Sequence, residues 1–134
     1  MANVREIEGI GDVFAEKLEA AGVRTEANLL EQGASAKGRA EMAANTGISE
    51  KQILNWVNRA DLARIKGIAG QYADLLEESG VDSVPELAQR NAENLQAKMA
   101  EVNAARNLVN REPSLSEVTD WIEQAKGLDR IVTH

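Results

Sequence analysis

The chain repeats itself. Ile7-Glu8-Gly9-Ile10-Gly11 returns as Ile65-Lys66-Gly67-Ile68-Ala69, 58 residues further on. The same offset relates Phe14 to Tyr72, Ala15 to Ala73, Leu18 to Leu76, Ala21-Gly22-Val23 to Ser79-Gly80-Val81, and Leu29 to Leu87. Later the offset grows: Ile48-Ser49-Glu50 resembles Leu115-Ser116-Glu117 at 67, and Trp56 pairs with Trp121 at 65. The second copy therefore carries an insertion, and two further helical turns in one helix would account for it. A repeat of this length restricts the chain to two small related units. We place them at residues 1–62 and 63–134, with no Pro- or Gly/Ser-rich linker between them. Their net charges are similar, −3 and −4.

Everything in each unit reads as helix. Gly22, Gly33, Gly47 and Gly80 each follow a helical stretch, as C′ glycines do. Thr25, Ser49, Ser83 and Ser116 each precede one, as N-caps. Pro85 falls just inside a helix start, and Pro113 is expected to close the long helix before it. Phe14, Leu18 and Ala21 recur at helical spacing, as do Ile68, Tyr72, Leu75 and Leu76. Ile53, Trp56, Val57 and Ala60 form a stripe matched by Val118, Trp121, Ile122 and Ala125. No stretch alternates with a period of two. The expected fold is all-α, with four to five short helices per unit and the two units packed together. Alanine supplies 21 of the residues, and its small side chain allows short helices to approach closely.

The glycine hairpins carry the chemistry. In Ile7-Glu8-Gly9-Ile10-Gly11, Gly9 permits a positive φ, Ile10 plugs the core between two helices, and Gly11 leaves space at the first turn of the next helix. The N–H groups of that turn have no partner within the helix. The pattern apolar-x-Gly-apolar-Gly, followed by Ala15, Leu18 and the Gly22-Val23 exit, resembles the helix-hairpin-helix motif. Gly67, Ile68, Ala73, Leu76 and Gly80-Val81 match it in the second unit. Over its whole length the chain resembles a bacterial family of small tandem helix-hairpin-helix proteins of unassigned function. The resemblance implies sequence-independent contact with a DNA sugar-phosphate backbone, with an occasional potassium or sodium ion on the hairpin carbonyls. The positions it would turn toward phosphate are Gly9, Gly11 and Asp12, then Gly67, Ala69 and Gly70.

Charge separates the two hairpins. Asp12 stands where phosphate would sit, and it favours the helix dipole while repelling an anion. Glu8 adds a second negative charge. We therefore read Gly9, Ile10 and Gly11 as the weaker candidate, mainly structural. In the second hairpin Lys66 replaces the glutamate and Gly70 the aspartate, with Arg59 and Arg64 just upstream. Lys66, Gly67, Ile68, Ala69, Gly70, Arg64 and Arg59 form the stronger candidate. Ala69 in place of the second glycine narrows the approach, and Asp61 offers a partner to one arginine. The whole chain carries −7, a field that opposes nucleic acid and makes any binding weak and salt-sensitive.

Other chemistry is thinly provided for. There is no cysteine, and the single histidine is His134, which leaves little for nucleophilic or metal chemistry. Ser49, Ser83 and Ser116 read as caps, and Glu16/Glu19 and Glu77/Glu78 as solvated helix faces. Trp56 and Trp121 read as core rather than as base-stacking platforms, and Phe14 and Tyr72 likewise. No apolar run is long enough to cross a membrane, and Met1–Glu6 has no apolar leader region, so a cytoplasmic protein is expected. The expectation is a non-enzymatic binding module without cofactor or metal. Its partner would be DNA, held weakly by the backbone at the second hairpin, or alternatively another protein in a scaffolding role. The sequence leaves the oligomeric state open.

Overall fold

Helix caps set out the fold. The computed structural model describes residues 3–7, 9–68 and 70–133. Asn3 opens a short 3-10 helix, Val4–Glu6, through a capping box with Glu6. Eight α-helices follow among the described residues: α1 Asp12–Ala20, α2 Glu26–Gly33, α3 Ala36–Thr46, α4 Glu50–Leu62, α5 Gln71–Glu78, α6 Val84–Ala88, α7 Ala92–Arg106 and α8 Leu115–Lys126. The fold is all-α. The only extended pairing among those residues is an isolated antiparallel bridge between Asn3 and Thr25.

Most of the expected caps are present. Thr25 Oγ1 accepts from the Asn28 N–H, Ser49 Oγ from Gln52 and Ser83 Oγ from Glu86. Gly22, Gly47 and Gly80 have positive φ just past their helices, and Pro85 lies in the first turn of α6. Three expectations are corrected. The cap of α8 is Ser114, not Ser116: Ser114 Oγ accepts from the Glu117 N–H while the Glu117 carboxylate accepts from the Ser114 N–H. That places Ser49 and Ser114 at the same offset, 65, as the two tryptophans. Pro113 does not end α7. The helix stops at Asn107, which adopts the left-handed conformation (φ 52°) and returns its N–H to the Asn103 carbonyl. Gly33 is no C′ glycine but the last residue of α2. It is buried, and a Cβ there would collide with the Val57 side chain.

The insertion in the second copy is only partly helical. α7 has 15 residues against 11 in α3. The remainder lies in the 107–114 connection, which replaces the short 47–49 link.

The chain divides into two compact units: residues up to Asp61 together with the segment from Ile131 onward, and Leu62–Arg130. The first is thus discontinuous in sequence, since Ile131–Thr133 belong with it rather than with the residues that precede them. Each unit has a buried core of its own. Leu18, Leu29, Ile53, Trp56 and Val57 are central in the first. Leu75, Leu76, Leu87, Leu95, Val118 and Trp121 are central in the second. Phe14 is not a core residue. It is 37% exposed, with its ring tilted against Trp56 at 5.3 Å between centroids. Its counterpart Tyr72 packs against the second core, 5.4 Å from Trp121, and its hydroxyl donates to the Arg111 carbonyl at 3.0 Å.

Candidate functional site

The two hairpins share a backbone pattern. In the first, the Ile7 N–H donates to Val4 O and the Ile10 N–H to Ile7 O, both at 3.1 Å. In the second, the Ile65 N–H donates to Leu62 O at 3.0 Å and the Ile68 N–H to Ile65 O at 3.1 Å. Gly9 has φ 93° and Gly67 φ 102°, conformations that a side chain strains. Ile10 is buried as the plug expected of it, and so is its counterpart Ile68, whose side chain is therefore withdrawn from the surface of the candidate loop. Beneath each glycine lies the indole of its own unit. A Cβ on Gly9 would stand 3.5 Å from Trp56 Nε1, and one on Gly67 would stand 2.8 Å from Trp121 Nε1. Both tryptophans are buried, so neither offers a face on which a base could stack.

The helix starts differ. Gly11 caps α1 in an extended conformation without a side-chain acceptor, and Asp12 is the first helical residue. The Asp12 side chain is 90% exposed and pairs with Arg5 at 2.9 Å. Arg5 also holds Glu19 at 2.7 Å. That hydrogen bond, ahead of the charges of Glu19, Asp12 and Glu16, holds the guanidinium more firmly protonated than usual. Arg5 is thereby committed to two carboxylates. Glu8 lies outside the described residues.

In the second hairpin the helix begins one residue later than the repeat implies. Gly70, the counterpart of Asp12, is the N-cap rather than the first helical residue, with φ 51° and no side-chain cap bond. Space beside it is open: a Cβ there would meet nothing within 4 Å. Position 70 thus carries no acidic side chain where the first hairpin has Asp12, although Asp74 places one in the first turn of α5. Lys66 is exposed. Its backbone is held from both sides by Gln124 of α8, whose Oε1 accepts from the Lys66 N–H at 2.9 Å and whose Nε2 donates to the Lys66 carbonyl at 3.0 Å. Gln124 Nε2 also reaches Asp120 at 2.9 Å. Gln124 was not among the residues expected at this loop. Its signal was the repeat register, which puts it opposite Arg59 at the offset of the tryptophans.

The candidate residues are thus partly assembled. Lys66, Gly67, Ile68 and Gly70 form one loop, and Ala69 lies outside the described residues. Arg64 belongs to the same unit, with Nη2 donating to the Asp129 carbonyl at 2.9 Å. Arg59 is in the first unit, on α4, and its Nε donates to Asn55 Oδ1 at 3.2 Å.

Among the described residues no group of three or more histidine, aspartate or glutamate side chains is arranged to hold a metal ion. No helix there is long and apolar enough to cross a membrane. Neither the curated proteins nor the solved structures include a match to the chain. A family model does match, over residues 8–128, and so takes in the first hairpin from residue 8 onward, the whole of the second and both tryptophans. The chain belongs to the family described as Domain of unknown function (DUF4332).

Proposed function

We propose that the protein is a non-enzymatic binding module whose second hairpin contacts the sugar-phosphate backbone of nucleic acid without reading bases. One observation carries this reading: the N-terminus of α5 opens through Gly70 with no side-chain cap, beside the exposed Lys66. Uncapped first-turn N–H groups and the positive end of a helix dipole suit a phosphate oxygen. A nearby lysine adds the cation that releases counterions. The helix-hairpin-helix resemblance points the same way. With a net charge of −7, the affinity is micromolar or weaker and falls steeply with salt.

Fluorescence anisotropy with labelled single-stranded, duplex and branched DNA at low ionic strength tests the reading. Binding to more than one form, independent of sequence, is the expected result. Lys66→Glu should weaken all forms alike and flatten the dependence on salt. Absence of binding to every form would overturn it.

A protein-interaction or scaffolding role is the second reading, favoured by the other hairpin. There Val13 is 66% exposed and Phe14 is 37% exposed, beside the acidic Asp12. Such a surface rejects phosphate and suits a partner with apolar and basic side chains. If DNA binding is absent, this reading takes precedence.

A further inference from the structure

Three residues far from α2 and α3 in sequence complete the first unit. Val132 is buried in its core, and Ile131 packs against that core. The Thr133 N–H donates to the Ala34 carbonyl at 2.8 Å. The Thr133 carbonyl accepts from Arg39 Nη2 at 2.6 Å. Arg39 is only 5% exposed, and its Nη1 donates to the carbonyls of Gly33 at 2.8 Å and Ala34 at 3.0 Å.

A guanidinium carries five donors and no acceptor, and burying it is costly unless those donors are satisfied. Here backbone carbonyls from two distant parts of the chain do so. The α2–α3 corner engages mainly generic groups: a backbone N–H, a backbone carbonyl and the buried Val132 side chain, with a longer hydrogen bond from Thr133 Oγ1 to the Ala34 carbonyl at 3.4 Å. Those are the terms on which proteins bind extended peptides, with affinity from the main chain and selectivity from a pocket. None of these interactions depends on the covalent path by which the segment arrives. The residues before it, Leu62–Arg130, form a separate unit with a buried core of its own.

We propose that the corner formed by Gly33, Ala34 and Arg39 is a binding site for an extended aliphatic peptide, closed in cis by Ile131–Thr133, and that the same segment from a second copy of this chain also occupies it. The occupant in trans is identical in sequence, so it makes the same hydrogen bonds and buries the same valine as the segment it displaces. Exchange then costs only the difference between closing the connection within one molecule and between two.

Complementation between two full-length variants tests this. Arg39→Met damages the corner and leaves the segment intact. Val132→Asp damages the segment and leaves the corner intact. Each alone should sediment as a monomer in analytical ultracentrifugation. Their equimolar mixture should contain a species of twice the mass, which a synthetic peptide spanning residues 129–134 dissolves when added in excess. Circular dichroism first establishes that both variants retain their helix content. If Val132→Asp does not, Thr133→Pro replaces it, removing the N–H to Ala34 without placing a charge in the core. A mixture of folded variants that sediments only as monomers overturns the proposal, as does a mixed dimer that the peptide leaves intact.

Discussion

Gly11, Gly33 and Gly67 respond differently to a side chain. At Gly67 the backbone is left-handed and Trp121 stands under the missing Cβ. Gly67→Ala should therefore cost about 1–3 kcal/mol from backbone strain alone, read in urea denaturation, and the indole must also shift. Gly33 has no such backbone constraint, but Val57 and Met42 occupy the space beside it. Gly33→Ala overpacks that contact, at about 1–3 kcal/mol, and Val57→Ala in the same molecule should recover part of the loss. Gly11 is an extended N-cap with open space around it, so Gly11→Ser should gain about 0.3 kcal/mol by capping α1. The hairpin glycines were legible because their spacing repeats and their neighbours are apolar. Gly33 was not: a glycine after a helical stretch reads as a stop, and only the approach of Val57, from α4, reveals the packing role.

At the scale of the element, α8 shows how a start is chosen. Ser114 and Ser116 are both plausible caps, and the carboxylate three residues after Ser114 decides between them. Glu117 closes the capping box and is also held by Arg111 through two hydrogen bonds, at 2.7 and 2.9 Å. The Arg111 hydrogen bonds first, then the N–H of Ser114, bring the Glu117 pKa down to about 2. A carboxyl group with a lowered folded pKa stabilises the fold above its unfolded pKa, and that contribution fades as pH falls toward the folded value. Glu117→Gln should therefore lower the thermal midpoint at pH 7. The gap to the parent protein should narrow below about pH 4.5 and close near pH 2, as measured by melts across that range. The Ser-x-x-Glu signal was present in the sequence. Against it stands the alignment of Ser116 with Ser49, at an offset of 67 that the tryptophans, at 65, do not share. The end of α7 had no comparable signal, since Asn107 in a left-handed turn looks like any other loop asparagine, and Pro113 beyond it drew the boundary too late.

For the molecule as a whole, two cores mean that damage is local before it is global. Leu29 is fully buried in the first. Leu29→Ala should cost about 2–5 kcal/mol. Fluorescence of Trp56 in a Trp121→Phe background should show a larger drop in midpoint than Trp121 does in a Trp56→Phe background. The repeat, with its cap signals, made the all-α fold legible. It did not disclose contacts that cross long stretches of chain: Gln124 gripping the backbone of Lys66, Arg39 reaching Thr133, or the assignment of Arg59 to the first unit. Those depend on where helices come to rest, which spacing along the chain does not encode. The return of Ile131–Thr133 to the first unit has a consequence for synthesis. Asn3–Asp61 leave the ribosome before the second unit, but the α2–α3 corner remains without Val132 and the Thr133 carbonyl until Ile131–Thr133 have emerged. By then Leu62–Arg130 is complete, so the unit translated second is ready to fold first, and the one translated first is finished last.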